Sequence, residues 1–294
     1  MSTPFPWPYG KRSALVIAVV YADGSDAVAQ APDLPQRVKS YSVWQYGTTR
    51  GVARITQTLA TAGVPSTWYV PGVVGRRYPD TIRALAAAGH EIAAMGWEHE
   101  VYADLGDTAT DALLQQTRSE LSELSGVGVT GFRLPRGTWP RHFDAALLRA
   151  GYRYSASLNG DDTPYPHASG LIEIPVHTEL DDRPFFQFNF TPAFPAGHSR
   201  LPDYDAVSAI WQWEFDAYRQ YGGCCVLQVH PEWLGTPGRI HLLEQFIAHA
   251  QRHDDVWITT SGAVADWTAA QQLTLPATHP LRVYEAYRSE RGQG

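Results

Sequence analysis

Lysine is nearly missing from this 294-residue chain: only Lys11 and Lys39 occur. Basic residues total 23 against 30 acidic ones, a net charge of −7, and no basic block or stripe is visible. That excludes recognition of nucleic acid through its phosphate backbone. Cysteine is limited to Cys224 and Cys225. A bond between neighbours would be a strained ring and a metal would lack further thiolates, so both read as reduced core residues, a usage that fits a reducing compartment. Long hydrophobic runs are missing too. The longest near the N-terminus, Ala14–Ala22, follows Lys11 and Arg12 as a signal peptide would, but it is too short to span a bilayer. Its β-branched content and the Asp23-Gly24 that ends it read as a buried strand, and the expectation is a cytoplasmic protein without membrane contact.

What is present is core-forming material: 44% of residues are hydrophobic and 12% aromatic. Apolar, β-rich stretches alternate with amphipathic ones along the chain, the pattern of repeated strand-crossover-strand units. Strands are expected at Ala14–Tyr21, Ser66–Val70, Glu91–Met95, Val129–Arg133, Leu171–Val176, Cys225–Val229 and Val256–Thr260. Helical patterns lie between them at Gly51–Ala62, Asp80–Ala88, Asp107–Ser125, Arg141–Ala150, Tyr204–Tyr221, Arg239–His253 and Ser261–Gln271. The sum is about seven βα units, an α/β barrel in one domain over residues 1–273 with a C-terminal extension over 274–294. Two long irregular stretches, Asp23–Gly47 and His177–Asp203, would leave the C-terminal ends of strands, where α/β barrels build their sites.

Polar residues directly after strands are the ones such a fold points into its site. They are Asp23, the segment Met95-Gly-Trp-Glu-His-Glu100, the segment Arg133-Leu-Pro-Arg-Gly137, and His230-Pro-Glu232. Trp97, Trp139 and Trp233 also follow strand ends and are expected to wall a pocket. Trp68 reads as core, and of Trp211 and Trp213, two apart on a helix, at most one should be. Asp161-Asp162 and Asp181-Asp182 read as solvated turn residues, with Asp162 the stronger candidate for substrate contact. Phe185–Phe190 is either a further strand or a gating loop.

Several segments, in this order, carry a resemblance: Tyr46-Gly-Thr-Thr-Arg50-Gly, Gly63-Val-Pro-Ser-Thr-Trp-Tyr-Val-Pro71, Ala88-Gly-His-Glu-Ile92, Asn159-Gly-Asp-Asp-Thr-Pro-Tyr165, Glu179-Leu-Asp-Asp-Arg-Pro184, and His230-Pro followed by Pro237-Gly-Arg239. Together they resemble the polysaccharide deacetylase (NodB-homology) family over Ser13 to Trp267. The branch they most resemble holds metal-independent allantoinases, cyclic imidases and one type of peptidoglycan deacetylase. The resemblance implies the family's single distorted (β/α)7 TIM-like barrel. It also implies a general-acid role for His230, an orienting role for Arg133, and often a homo-oligomer.

The departures are as informative. The family's metal-dependent members carry paired acidic residues after the first strand, base then ligand; here the positions read Ala22 and Asp23. Two histidines four apart complete their metal site, where this chain has Met95 and His99. A thioether is a poor ligand for Zn²⁺, so no cofactor is expected; a zinc or other divalent ion, if held, would take Asp23, His99 and Glu98. Without a metal, amide hydrolysis depends on acid-base groups and oxyanion donors, which suits activated cyclic amides, imides and ureides. Glu98 or Asp23 then activates water and His99 or His230 protonates the leaving nitrogen. The expected substrate is a small molecule. The alternatives are a non-hydrolytic isomerase, cyclase or lyase, a metal-dependent deacetylase, or a binding homologue without catalysis.

Overall fold

The computed structural model describes residues 4–187, 189–190, 193–194 and 202–291. Its strands are β1 (Ser13–Val20), β2 (Thr67–Val70), β3 (Glu91–Ala94), β4 (Gly131–Phe132), β5 (Tyr154–Ser155), β6 (Tyr165–Pro166), β7 (Ile172–Glu173), β8 (Asn189–Phe190), β9 (Ala193–Phe194), β10 (Cys224–Val229) and β11 (Val256–Thr259). The main sheet runs β10-β1-β2-β3-β4-β5-β7-β6, and only the β6–β7 pair is antiparallel. Strand β1 is its axis. One edge pairs along its length with β10, from Ala14–Cys224 to Val19–Val229. The other is shared, its first half with β11 and its second half with β2. After β7, an isolated parallel bridge joins Asp181 to Gln228 of β10, and the Asp182 N–H donates to the Gln228 carbonyl at 3.1 Å. The barrel therefore closes through one bridge instead of a ladder, which is its distortion.

Side-chain alternation along β1 sorts the core into two layers. Leu15, Ile17, Val19 and Tyr21 pack outward against the helices, in one cluster with Trp68, Leu114 and Trp211. Ala14, Val16, Ala18, Val20 and Ala22 point into the barrel, beside Tyr69, Met95 and Tyr154. Small residues on β1 leave room for those tyrosines. The two cysteines divide the same way, Cys224 inward and Cys225 outward, both buried as free thiols. Trp211 is buried while Trp213 is 72% exposed, as their spacing requires.

The helices Val52–Ala62, Asp107–Ser125 and Tyr204–Tyr221 form where the amphipathic pattern places them. The first ends at Gly63, whose left-handed φ of 65° lets the chain turn into β2. The stretch Asp23–Gly47 is not irregular as expected. It holds the helices Ser25–Gln30 and Val38–Tyr46, short segments with little periodic apolar signal. The Phe185–Phe190 run divides between the helix Arg183–Phe186 and strand β8, with Phe188 outside the described residues, as are 191–192 and 195–201 in the second long stretch. In the C-terminal extension, His279 is buried and its Nε2 lies 3.1 Å from Asp161 Oδ2, ahead of the helix Pro280–Arg291. Among the described residues no helix is long and apolar enough to cross a membrane.

One close packing aims the site. The single π-helical turn Gly47–Gly51 lies against the short helix Pro231–Leu234, which follows β10. A Cβ on Gly51 would stand 2.1 Å from the Pro231 carbonyl oxygen, and one on Gly47 would stand 2.7 Å from the Glu232 nitrogen. Only glycine permits this backbone approach, and it fixes where His230 and Glu232 sit.

Candidate active site

His230 ends β10 and begins that short helix. Its Nδ1 lies 2.6 Å from Asp182 Oδ1, and its backbone N–H donates to Asp182 Oδ2 at 2.9 Å. Both residues are buried, so the expectation of a solvated turn fails for Asp182. Burial pushes the His230 imidazole down to about 3 and the Asp182 carboxyl up to about 8. The N–H of His230 and the charges of Arg183 and Arg239 oppose the rise at Asp182. A pair with these leanings holds one shared proton at neutral pH and resists both a second proton and the loss of the first. The remaining ring nitrogen, Nε2, is buried and makes no hydrogen bond among the described residues.

The loop after β3 brings His99 to the same region. Its backbone is left-handed at φ 68°, its Nδ1 lies 3.3 Å from the Ser25 hydroxyl, and its carbonyl accepts from Arg136 at 2.8 Å. Burial pushes its pKa down to about 4, with the negative charge of Asp26 opposing. Glu98, next to it, is exposed. The loop is instead shaped by Glu100, whose carboxylate accepts the backbone N–H groups of Trp97 and Glu98, each at 2.8 Å.

Two acidic residues follow β1, and they have different partners. Asp23 lies past the end of the strand with a left-handed φ of 48°, and its carboxylate accepts from the Thr48 hydroxyl, from Arg77 at 3.0 Å and from Tyr78 at 3.1 Å. Asp26, in the first turn of Ser25–Gln30, is the one whose charge reaches both His99 and His230. It is 6% exposed, Arg183 stands 3.6 Å from its Oδ2, and its Oδ1 is buried without a hydrogen bond among the described residues. Glu232 completes the cluster. Burial first, then the charges of Asp26 and Asp182, hold its carboxyl well above the usual range. Arg133 is half-buried, 5.9 Å from the Tyr69 ring, and burial pushes its pKa down while the charge of Asp181 opposes the shift.

The family's divalent ion does not fit these residues. Met95 lies in the barrel interior, the Asp23 carboxylate is filled by three donors, and Asp23, Glu98 and His99 do not form a ligand group among the described residues. Asp181, Asp182 and His230 do approach one another. Two ligands of one tetrahedral zinc, however, stand about 3.3 Å apart, whereas the buried Asp182–His230 contact is 2.6 Å and pinned by a second hydrogen bond. That geometry holds a proton.

The remaining expected contacts are dispersed. Trp97 lies over Gly72, with Arg76 4.6 Å from its ring. Trp139 stacks on His167 at 5.4 Å, and Trp233 is buried edge-on to Trp44 at 6.1 Å. Asp162 is exposed, and its carbonyl accepts from Cys224 at 2.8 Å. Sequence reasoning missed Asp26 and Arg183 as site residues and did not separate Asp182 from its neighbour. Glu232 was visible only as part of the segment following β10.

A family model for polysaccharide deacetylases matches residues 36–155. A peptidoglycan deacetylase of Helicobacter pylori is 24% identical over 245 residues, spanning 74% of this chain and 83% of that protein. Among solved structures, a protein of Mycobacterium smegmatis assigned to the polysaccharide deacetylases is 32% identical, with a TM-score of 0.86 over 93% of this chain and 96% of that one. An allantoinase shares the fold at 23% identity, with a TM-score of 0.78 over 93% and 96% of the two chains.

Proposed function

Because the chain belongs to the polysaccharide deacetylase family, we propose that it hydrolyses a non-peptide C–N bond in a small cyclic amide, imide or ureide, using side chains where relatives use a metal. One observation carries this reading: two buried atoms of complementary character, Asp26 Oδ1 and His230 Nε2, lie in one cluster without a hydrogen-bond partner among the described residues. As a carboxylate, Asp26 accepts a proton at that oxygen. The ring nitrogen, backed by a pair that keeps its shared proton up to about pH 8, can donate one.

In this scheme Asp26 Oδ1 takes a proton from water while the water oxygen bonds to the ring carbonyl carbon. The C=O electrons move onto oxygen, where the charges of Arg183 and Arg133 are the available stabilisers. Collapse of the adduct breaks the C–N bond, and the nitrogen takes the proton from His230 Nε2. The proton between Asp182 and His230 then settles on Nδ1 and leaves Asp182 a carboxylate. Glu232, its carboxyl pushed toward the protonated form by burial and by the charge of Asp26, is in this scheme the O–H donor for a second substrate carbonyl. An imide or ureide suits this machinery because its second carbonyl stabilises the departing nitrogen; an ordinary acetamide asks for stronger activation.

The test is a panel of cyclic imides, hydantoins and dihydropyrimidines beside N-acetylglucosamine oligomers, each with chelator and with added Zn²⁺. Ring opening that is unaffected by chelator supports the reading. Acetate release from the oligomers alone, dependent on added metal, would overturn it and return the chain to metal-dependent deacetylation. The allantoinase of like fold and the peptidoglycan deacetylase relative mark these two poles.

A further inference from the structure

On the outer face of the barrel, away from the cluster just described, the helix Tyr204–Tyr221 packs beside the helix Ile240–Ala250. Asp216 on the first faces His249 on the second and His253 just beyond its end. The Asp216 carboxylate lies 2.8 Å from His249 Nε2 and 3.9 Å from His253 Nε2, and all three ligand atoms fall within 4.8 Å of one another. His249 lies in the last turn of its helix and His253 on the turn that follows it, where the His253 N–H donates to the Ala250 carbonyl at 3.1 Å. Their ring centroids are 5.6 Å apart, and both rest on Phe215, at 5.5 Å and 5.8 Å.

We propose that Asp216, His249 and His253 form a surface site for a borderline divalent transition ion such as Zn²⁺ or Ni²⁺, bridging the two helices and separate from the barrel's chemistry. Two imidazole nitrogens and one carboxylate oxygen make a donor set these ions favour, with solvent water completing the coordination. Ligands of one tetrahedral ion stand about 3.3 Å apart. The observed 2.8 Å and 3.9 Å bracket that value, so a shift of about half an ångström in each serves both. Asp216 is 48% exposed and His253 is 26% exposed, so such shifts meet little packing resistance, unlike the sealed Asp182–His230 contact. Phe215 fixes the rings beforehand. One contact competes: Arg252 donates to His249 Nδ1, which leaves the proton on Nε2, where it points at Asp216. An incoming ion displaces that proton, the tautomer shifts to Nδ1–H, and exposed Arg252 swings into solvent.

The site matters for interpreting composition, because metal retained on purification would then report this face and not the barrel mouth. The experiment is calorimetric titration of the intact protein with Zn²⁺ and with Ni²⁺ at pH 7.5, repeated for His253→Gln, Arg252→Ser and His99→Asn. Expected are one ion per chain, an affinity reduced by about tenfold or more in His253→Gln, tighter binding in Arg252→Ser, and an unchanged titration in His99→Asn. No binding at 100-fold molar excess overturns the proposal, as does binding that survives His253→Gln but is lost in His99→Asn. Neither result bears on chelator-resistant hydrolysis in the barrel, so the two readings fail separately.

Discussion

Acid should destabilise this fold through His99 in a way that one substitution removes. The imidazole is 3% exposed, and burial lowers its pKa from 6.5 to about 4. Between those values the unfolded chain binds a proton that the folded chain refuses, so stability falls as pH falls. The contribution is fully present above 6.5 and lost on the way down to about 4. Each pKa unit corresponds to about 1.4 kcal/mol, so the full loss is roughly 3 kcal/mol and the part between pH 7.5 and pH 5 about 2 kcal/mol. The variant of choice is His99→Asn, because asparagine tolerates the left-handed φ of 68° at this position. Urea denaturation of both proteins at pH 7.5 and pH 5 isolates the effect: any cavity cost of the variant is common to both pH values, and the other titrating groups are common to both proteins. Unfolding free energy should drop by about 2 kcal/mol more in the unmodified protein, with equal m-values. Parallel losses, agreeing within about 0.5 kcal/mol, would mean that His99 titrates as an open imidazole, and the buried site described above would be wrong.

Three further outcomes are expected. Asp182→Asn cannot hold the shared proton, so kcat for ring opening should fall by about 10²–10⁴-fold with a smaller change in KM; unchanged kcat would remove the dyad from the mechanism. The rate should decline as pH rises through about 8, where the Asp182–His230 pair gives up that proton, and a profile still rising at pH 9.5 would contradict the acid role of His230. Met95→His, made with His253→Gln to silence the outer face, should not bind Zn²⁺ in calorimetry, because the Asp23 carboxylate already carries three donors; stoichiometric uptake would show that the old ligand set survives.

Much of the architecture follows from sequence alone. The apolar run after Arg12 becomes β1 because eight consecutive buried positions suit a central parallel strand, and glycines such as Gly63 stop helices because they accept a left-handed turn. Family membership is legible too, through motifs whose order survives although single ligands are lost. Which carboxylate serves the site is not legible. Asp23 stands where the family motif places a ligand, yet it lies past the end of β1 with a left-handed φ of 48°, and its carboxylate is taken up by Thr48, Arg77 and Tyr78 from other segments of the chain. Asp26 lies in a six-residue helix with no periodicity to announce it, and its importance arises only when the ends of β3 and β10 bring His99 and His230 beside it. Asp182 is one of an ordinary acidic pair until the closing bridge at Gln228 carries it into the barrel wall. Local signals set the strands, helices and turns because these depend on neighbours in sequence. Protonation and charge pairing depend on burial and on partners tens to hundreds of residues away, and only the closed barrel supplies those.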